Sequence, residues 1–269
     1  MRLQSAFPVP ALRDCVRRFQ ERKAHIVGGV VAYPIAARPE QILEFYLQDP
    51  YRVRFGDSVT PEILPRSVVV GPCTYRRAEL VLEGRLDVFT ISFQASGFHQ
   101  LFGMPMTAFA DQAYDASSVI GPVASEIEEK LAEASDFHAR VRIVTIFLMQ
   151  LLREVSQRDF VAATANRFLR ERGALRIGDA AAKAGLSVRQ FERRFAERVG
   201  LPPKRYAKIV RFQAALEAKI AAPRRLWTDI AHDVGYYDQM HMVRDFERFA
   251  GESPTAFIKR FGTMSEPWT

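Results

Sequence analysis

The 269-residue sequence is poor in cysteine, and its two thiols, Cys15 and Cys73, cannot form a disulfide framework or a Cys-x-x-Cys site. Low cysteine use is typical of a reducing compartment, so we predict a cytoplasmic protein. A sensing role for either thiol stays open as an alternative. The five histidines include no His-x-His pair, and we predict neither a metal nor another cofactor.

Long apolar runs are also absent. The longest, at 144–152, lies between Arg142 and Arg153, whereas a membrane span needs about 20 apolar residues. The first 15 residues contain prolines and lack the apolar segment of a signal peptide. We therefore expect neither a membrane partner nor a secretory signal.

The excess of positive charge is confined to one part of the chain. Residues 1–165 contain 18 Lys and Arg against 19 Asp and Glu, whereas residues 166–262 contain 20 against 11, a net charge of +9. Such a basic segment is expected of a nucleic-acid-binding domain, although a solvated basic face gives the same composition.

Short segments rich in Val, Ile and Phe, separated by Gly and Pro, predict β-strands over the first 120 residues. We expect a small antiparallel barrel or sandwich, with a hairpin turn at 83–85. After Pro122 the apolar residues recur at helical spacing, which predicts helices packed on the sheet or on a second subunit. Ile127 with Leu131 and Val144 with Leu148 are examples.

From Val161 the sequence predicts only helices, separated by Gly or Pro. We place them near 161–172, 177–184, 187–199, 203–221, 226–234, 238–249 and 254–261. The predicted fold class is α+β with two domains, 1–158 and 159–262, followed by a tail at 263–269.

An internal repeat lies within the helical part. The segment AAKAGLSVRQFERRFAERVGLPPKRY at 181–206 aligns with AHDVGYYDQMHMVRDFERFAGESPTAF at 231–257, with one inserted residue in the second turn. Each copy is a helix, a glycine (Gly185 or Gly235), a short turn and a second helix, which is the helix-turn-helix pattern. The predicted units lie at about 177–199 and 226–249.

Ser187 and Asp238 follow the turns and are predicted to cap the second helices. When the phenylalanines of those helices are buried, other side chains face outward: Arg189, Gln190, Arg193, Gln239, Met240, His241 and Arg244. Arg and Gln make bidentate hydrogen bonds with guanine and adenine edges, so this surface is a candidate DNA interface.

The cluster of His232, Asp233, Asp238 and His241 admits a metal or acid–base site as a second interpretation. Its two histidines lie on different predicted helices, whereas the HExxH arrangement places both on one helical face. We therefore assign His241 to the DNA interface. We assign His232 and Asp233 to the surface of the supporting helix, where they can contact phosphate or a partner protein.

The second copy resembles the C-terminal signature of the AraC/XylS family of bacterial transcription regulators. The matching positions are Gly235, Tyr236, Arg244, Phe246, Gly251, Ser253, Pro254 and Phe257. The resemblance implies seven helices, with 203–221 as a rigid connecting helix. Together with the capping residues, it implies these base or phosphate contacts: Ser187, Arg189, Gln190, Glu192, Arg193, Asp238, Gln239, Met240, His241 and Arg244.

Many members of that family carry an N-terminal cupin-like sensor or dimerisation domain. The segments VVVGPCTY and TISFQASGFHQLFGMPMTAFADQ resemble the N-terminal domain of one subgroup. The resemblance therefore implies a small cupin-like β-barrel with packed helices in 1–158. It also implies a small-molecule effector, RNA polymerase or a second copy of the chain, as a homodimer, as candidate partners besides double-stranded DNA.

The predicted function is sequence-specific DNA-binding transcription regulation without enzymatic activity. A DNA alkylation-repair enzyme with a regulator-like domain is an alternative, but it needs an activated thiol, and neither Cys15 nor Cys73 has a Cys–His or Pro-Cys-His context. A ligand-binding module that uses its helices for protein contacts is disfavoured by the +9 charge and the outward Arg and Gln pattern.

Overall fold

The computed structural model describes residues 2–56, 58–74, 78–153, 160–171, 173 and 176–261. It has the mixed fold that the sequence predicts, with an antiparallel sheet in the N-terminal part and helices in the C-terminal part. The predicted boundary between 158 and 159 and the tail at 263–269 lie outside the described residues.

The described strands form one sheet. They are β1 (Arg2–Ala6), β2 (Val16–Pro34), β3 (Ile42–Tyr46), β4 (Arg52–Phe55), β5 (Glu62–Ile63), β6 (Ser67–Val70), β7 (Ala78–Phe93) and β8 (Ala113–Asp115). The long strands β2 and β7 pair from Val16 opposite Phe93 to Pro34 opposite Glu79. The other edge of β7 pairs with β3 over its C-terminal half and with β4 over its N-terminal half.

The predicted cupin-like barrel is wrong in one respect, because the sheet is not closed. Among the described strands, β1 and β8 end the order β1-β2-β7-β3-β6-β8 and do not pair with each other. One edge of β7 is divided between β3 and β4, so the sheet branches there and does not curl round to meet its first strand. The antiparallel pairing is as predicted.

The predicted hairpin at 83–85 is also wrong, because β7 continues through Gly84 as one 16-residue strand. Gly84 has a φ of +70°, and the paired strand β2 shifts register between Ile26 and Val31. The glycine therefore accommodates a bulge that bends both strands without ending them. Asp49 stabilises the bend, since its carboxylate accepts a hydrogen bond from the N–H of Arg85 at 2.8 Å.

Helices cover one face of the sheet. They are α1 (Gly97–Phe102), α2 (Ala116–Ile120), α3 (Val123–Glu133) and α4 (Phe137–Arg153), with 3₁₀ turns at Pro10–Leu12 and Met106–Phe109. The predicted pairs Ile127 with Leu131 and Val144 with Leu148 are buried and pack with strand residues such as Phe19. None of the helices described, here or in the C-terminal part, has both the length and the apolarity to cross a membrane.

A buried ion-pair network ties α4 to this face. The guanidinium of Arg140 bonds Glu21 and makes a bidentate contact with Asp87, at 2.7 and 3.0 Å. Its Nε also donates to the carbonyl oxygen of Leu131 at 3.1 Å. Because Arg140 and Glu21 are almost fully buried, the charges depend on one another for compensation.

The C-terminal helices are α5 (Phe160–Arg170), α6 (Ile177–Lys183), α7 (Val188–Val199), α8 (Pro203–Ala221), α9 (Trp227–Asp233), α10 (Gln239–Ala250) and α11 (Pro254–Phe261). At the described ends, the predicted bounds differ from these by at most two residues. One apolar core joins the helices, and its largest side chains are aromatic.

The two parts of the chain share this core. Ala37 and Ala95, from loops of the sheet part, pack among the buried residues of the helices. The N–H of Ala37 donates to the carbonyl oxygen of Phe249, in the last turn of α10, at 2.8 Å. Gln41 Nε2 donates to the carbonyl oxygen of Val199, at the end of α7, at 3.1 Å. The sheet part is therefore attached to both copies of the repeat.

Gly200 makes a further contact between the two parts. It ends α7 with a φ of +92°. A Cβ atom built on it lies 2.8 Å from the carbonyl oxygen of Met106 and 3.0 Å from Cγ of Pro72. The end of α7 thus lies directly against the 3₁₀ turn of the sheet part, at a distance that leaves no room for a side chain.

We expect Arg140→Met to lower the free energy of unfolding by about 3 kcal/mol, because it leaves two carboxylates buried with only Lys23 beside them. Chemical denaturation of the full chain measures the change. Arg142→Met, at an exposed position of the same helix, is the control and should change stability by less than about 0.5 kcal/mol. Equal stability of the two variants would contradict the role given to Arg140.

Candidate DNA interface

Helices α6 and α7 form the first unit. Gly185, with a φ of +64°, lies in the turn after α6, in a conformation that a side chain would strain. Ser187 caps α7, since its Oγ accepts a hydrogen bond from the N–H of Gln190 at 3.3 Å. In return, Gln190 Oε1 accepts from the N–H of Ser187 at 3.0 Å. This capping box fixes the direction in which α7 leaves the turn.

Helices α9 and α10 form the second unit, built in the same way. Gly235 has a φ of +83°, and the carboxylate of Asp238 accepts a hydrogen bond from the N–H of His241 at 2.7 Å. A carboxylate at this position also interacts favourably with the positive end of the helix dipole. Tyr236 is buried beneath the turn, where the guanidinium carbon of Arg211, from α8, lies 5.4 Å from its ring centroid.

Both second helices are anchored on α8. The ring centroid of Phe195 in α7 lies 5.6 Å from that of Tyr206, and the ring centroid of Phe246 in α10 lies 4.8 Å from that of Phe212. All four side chains are fully buried. Aromatic packing of this kind fixes the orientation of α7 and α10, and with it the direction of their outer faces.

The structure exposes every residue that the sequence assigns to DNA contact. They lie at the starts and along the outer faces of α7 and α10: Ser187, Arg189, Gln190, Glu192, Arg193, Asp238, Gln239, Met240, His241 and Arg244. Three of these side chains also make the capping hydrogen bonds at the helix starts: Ser187, Gln190 and Asp238. Exposure is a condition for contact with DNA, and the individual contacts stay predictions.

Further basic residues, which the sequence pattern did not predict, lie on this surface. Arg194 lies beside Arg193, and Arg248 lies one turn beyond Arg244; both are exposed. The i, i+4 spacing of the two arginines in α10 is the signal that identifies Arg248 from sequence. Tyr237 is 92% exposed, and its ring lies 5.9 Å from that of His241. Tyr237, just before α10, thus extends the predicted contact surface.

The polar cluster around the second turn is bonded in pairs. Asp233 accepts a hydrogen bond from Arg225, which lowers the pKa of that carboxyl, and His241 Nδ1 lies 3.1 Å from the carboxylate of Asp238. Within the described ranges, no three His, Cys, Asp or Glu side chains come close enough to hold a metal ion. The cluster therefore consists of an ion pair at the end of α9 and a capping aspartate at the start of α10.

Two family models match the chain. Residues 180–260 match a helix-turn-helix domain, which spans both units described above. Residues 4–115 match a domain of unknown function, which covers the sheet except for the first two residues of β1. The first match begins in α6 and ends in α11, so its limits agree with the helical repeat.

Among known proteins, the HTH-type transcriptional regulator Rv1931c of Mycobacterium tuberculosis is 36% identical over 89 residues, 33% of this chain and 34% of that protein. The chain thus matches about a third of the length of this relative. The structure of ToxT from Vibrio cholerae has a TM-score of 0.49 at 10% identity, covering 90% of this chain and 97% of that one. The AraC-like transcriptional activator CuxR has a TM-score of 0.30 at 10% identity, covering 80% and 86%.

We expect Ser187→Ala and Asp238→Ala each to lower the free energy of unfolding by about 1 kcal/mol, because each leaves a helix N–H without its acceptor. Thermal or chemical denaturation of the full chain measures the loss. Glu247→Ala, on the exposed face of α10, is the control, and its effect should stay within about 0.5 kcal/mol. If the cap variants are as stable as the control, the caps contribute nothing to the units.

Proposed function

Because the chain carries a helix-turn-helix domain of the AraC/XylS type, we propose that it is a sequence-specific DNA-binding transcription regulator. The observation that supports this most directly is the tandem repeat. Two units with matched glycines, caps and buried phenylalanines present two arginine-bearing helix faces to solvent. The +9 charge of 166–262 supplies the attraction to phosphate that DNA binding requires.

We assign base contacts to the outer faces of α7 and α10. Arg189, Arg193 and Arg244 have the planar donors that bond guanine, and Gln239 can bond adenine. Met240 is 58% exposed and offers only apolar contact, as to a thymine methyl group. Glu192, His241, Ser187, Gln190 and Asp238 complete the proposed set.

We assign phosphate contacts to two further exposed arginines. Arg194 and Arg248 lie beside the proposed base contacts, toward the C-terminal ends of α7 and α10. Phosphate contacts position a protein on DNA without specifying the base. They also make affinity fall as salt rises, so the affinity should show a steep salt dependence.

The connecting helix sets the distance between the two units. α8 has 19 residues and therefore spans about 28 Å. Successive major-groove segments on one face of DNA lie about 34 Å apart. α7 packs on α8 at Tyr206 and α10 packs on it at Phe212, so this helix fixes the position of each recognition helix relative to the other. We propose that α7 and α10 enter adjacent turns of the major groove.

We further propose that the division at 158/159 separates a sensor part from a DNA-binding part with seven helices. A small-molecule effector, RNA polymerase and a second copy of the chain are the candidate partners besides double-stranded DNA, and the cytoplasm is the proposed location.

We infer that Cys15 is not the nucleophile of an alkyl-transfer enzyme. Such an enzyme needs a cysteine that ionises readily. Burial, with a smaller contribution from Asp14, raises the pKa of Cys15 to about 11, so its thiol stays protonated at neutral pH. AraC-type regulators act by binding DNA, and the tandem repeat provides the surface for it.

The proposed function predicts that purified full-length protein enriches one DNA sequence from a random pool. Two protected major-groove segments, about one helical turn apart, should appear in a footprint of the enriched site. Binding without enrichment of any sequence, across a salt series, would contradict specific regulation and leave only a basic surface.

We expect Arg193→Ala and Arg244→Ala each to cost about 1–3 kcal/mol of binding free energy and to relax preference at one base pair. Arg205→Ala, with the same charge change at an exposed position of α8, is the matched control and should leave base preference unchanged. Titrations on the enriched site and on single-base variants measure both effects. An equal loss of affinity on all DNA sequences would show that Arg193 and Arg244 contact phosphate and not bases.

We expect Ala214→Pro to abolish simultaneous protection of the two segments, because proline in a helix interior costs about 3 kcal/mol or more and bends the helix. Ala214→Gly costs only about 1 kcal/mol and is the control for the position. Footprinting of both variants gives the measurement. A folded proline variant that protects both segments with wild-type affinity would show that α8 does not set the spacing.

A further inference from the structure

A cavity of about 530 Å³ lies in the sheet part, on the face that the helices α3 and α4 do not cover. It is bounded by β4, β5, β6 and the start of β7. Its walls are mainly apolar, with Ile35, Val53, Leu64, Val70 and Leu80 among the lining residues. Pockets of this volume, apolar with a few placed polar groups, are typical of small-molecule sites.

The floor of the cavity holds a charge pair that is already compensated. Arg22 Nη2 lies 2.9 Å from Glu44 Oε1 and donates to Thr90 Oγ1 at 2.7 Å. The other carboxylate oxygen of Glu44 accepts from the hydroxyl of Tyr46 at 2.9 Å. Burial raises the pKa of Tyr46 well above its ordinary value, so this hydroxyl remains a donor. Both oxygens of Glu44 are thus engaged, and the floor does not favour a cation.

Two further acids, Asp111 and Glu62, line the cavity. Asp111 accepts hydrogen bonds from the N–H and the hydroxyl of Thr74, at 2.6 and 2.8 Å. Glu62 is exposed at the rim. In the small adjoining cavity, Glu40 pairs with Arg17 at 2.7 Å, and Glu217 is exposed on α8.

Arg38 differs from these groups. It lines the cavity, yet in the part of the chain that the structure describes it has no carboxylate within ion-pair distance. Its Nε is buried with no hydrogen-bond acceptor among the same residues. The backbone fixes its place, because Arg38 and Cys73 exchange two hydrogen bonds of 2.9 Å. A half-buried guanidinium that lines an apolar cavity and has no carboxylate in ion-pair distance is available to pair with the carboxylate of a ligand.

We propose that this cavity binds a small organic carboxylate. Its carboxylate pairs with the guanidinium of Arg38, whose planar donors match two carboxylate oxygens. Its apolar body lies between the aliphatic side chains of the wall. The regulatory role of this ligand rests on the proposed function, because the ligand is an effector only if the chain is a regulator.

The position of Arg38 connects the cavity to the DNA-binding helices. The adjacent residue, Ala37, donates to the carbonyl oxygen of Phe249 in α10 and accepts a hydrogen bond from Gln213 of α8. A ligand that pairs with Arg38 therefore binds one residue from Ala37, which joins the sheet part to the second unit. A change in DNA affinity on ligand binding is the expected result.

The test titrates the full chain by calorimetry with benzoate, 4-phenylbutanoate and octanoate, each beside its uncharged primary amide. At least one carboxylate should bind at one site per chain, and its amide should bind at least tenfold more weakly. This comparison uses the unaltered protein and so does not depend on any variant folding. Equal binding of acid and amide, or no binding of any acid at millimolar concentration, overturns the proposal.

Variants then locate the site. Arg38→Met should weaken the carboxylate at least tenfold, while Arg38→Lys keeps the preference for acid over amide. Arg52→Met is the control, because Arg52 pairs with Glu83 outside the cavity, and it should bind as the wild type does. Wild-type affinity in Arg38→Met overturns the assignment. DNA binding is measured separately, so its failure with carboxylate binding intact counts against the proposed function and not against the cavity.

Discussion

The helical part depends on the burial of aromatic side chains against α8. Phe195 meets Tyr206 near one end of this helix and Phe246 meets Phe212 farther along it, and all four are removed from water. Each such side chain contributes a large buried apolar area, which is the main favourable term in folding. Because both second helices pack on the same support, the directions of their outer faces are fixed relative to each other by packing alone.

The sheet handles charge differently on its two faces. On the helix-covered face, Arg140 pairs with Glu21 and Asp87, and Lys23 pairs with the same two carboxylates, so the ions hold α4 in one position. On the other face, Arg22 and Glu44 satisfy each other, whereas Arg38 has no such carboxylate among the described residues. Buried charges are tolerated when they are paired, and the half-buried Arg38 has no such pair. This contrast between the faces is the basis of the role proposed for Arg38.

Much of the helical part was predictable because its signals are local. A glycine, a capping residue and phenylalanines one turn apart define each unit within about 25 residues, and the structure has them as expected. The closed barrel and the hairpin at 83–85 were wrong because strand pairing is not local. Gly84 has the same sequence signal in a turn and in a bulge, and only the long partner strand β2 decides between them.

The candidate cavity could not be predicted from the sequence, because its lining residues come from segments far apart in the chain. Only the folded structure shows that Arg38 has no carboxylate beside it among the described residues. Ala37 and Ala95 carry no pattern that marks them as part of the helical core. The exposed Arg248, in contrast, could have been predicted from the sequence, because it lies four residues after Arg244 on one helix face.

Gly200 has a consequence for exchanging parts between relatives. Its backbone conformation is one that side chains rarely adopt, and the atom nearest to a Cβ there is the backbone oxygen of Met106, which cannot move aside as a side-chain tip can. A helical half taken from a relative without glycine at this position would therefore not seat on this sheet. A chimera has to transfer Gly200 and the 3₁₀ turn as one unit, so the junction of a successful hybrid lies upstream of Met106 or keeps this glycine.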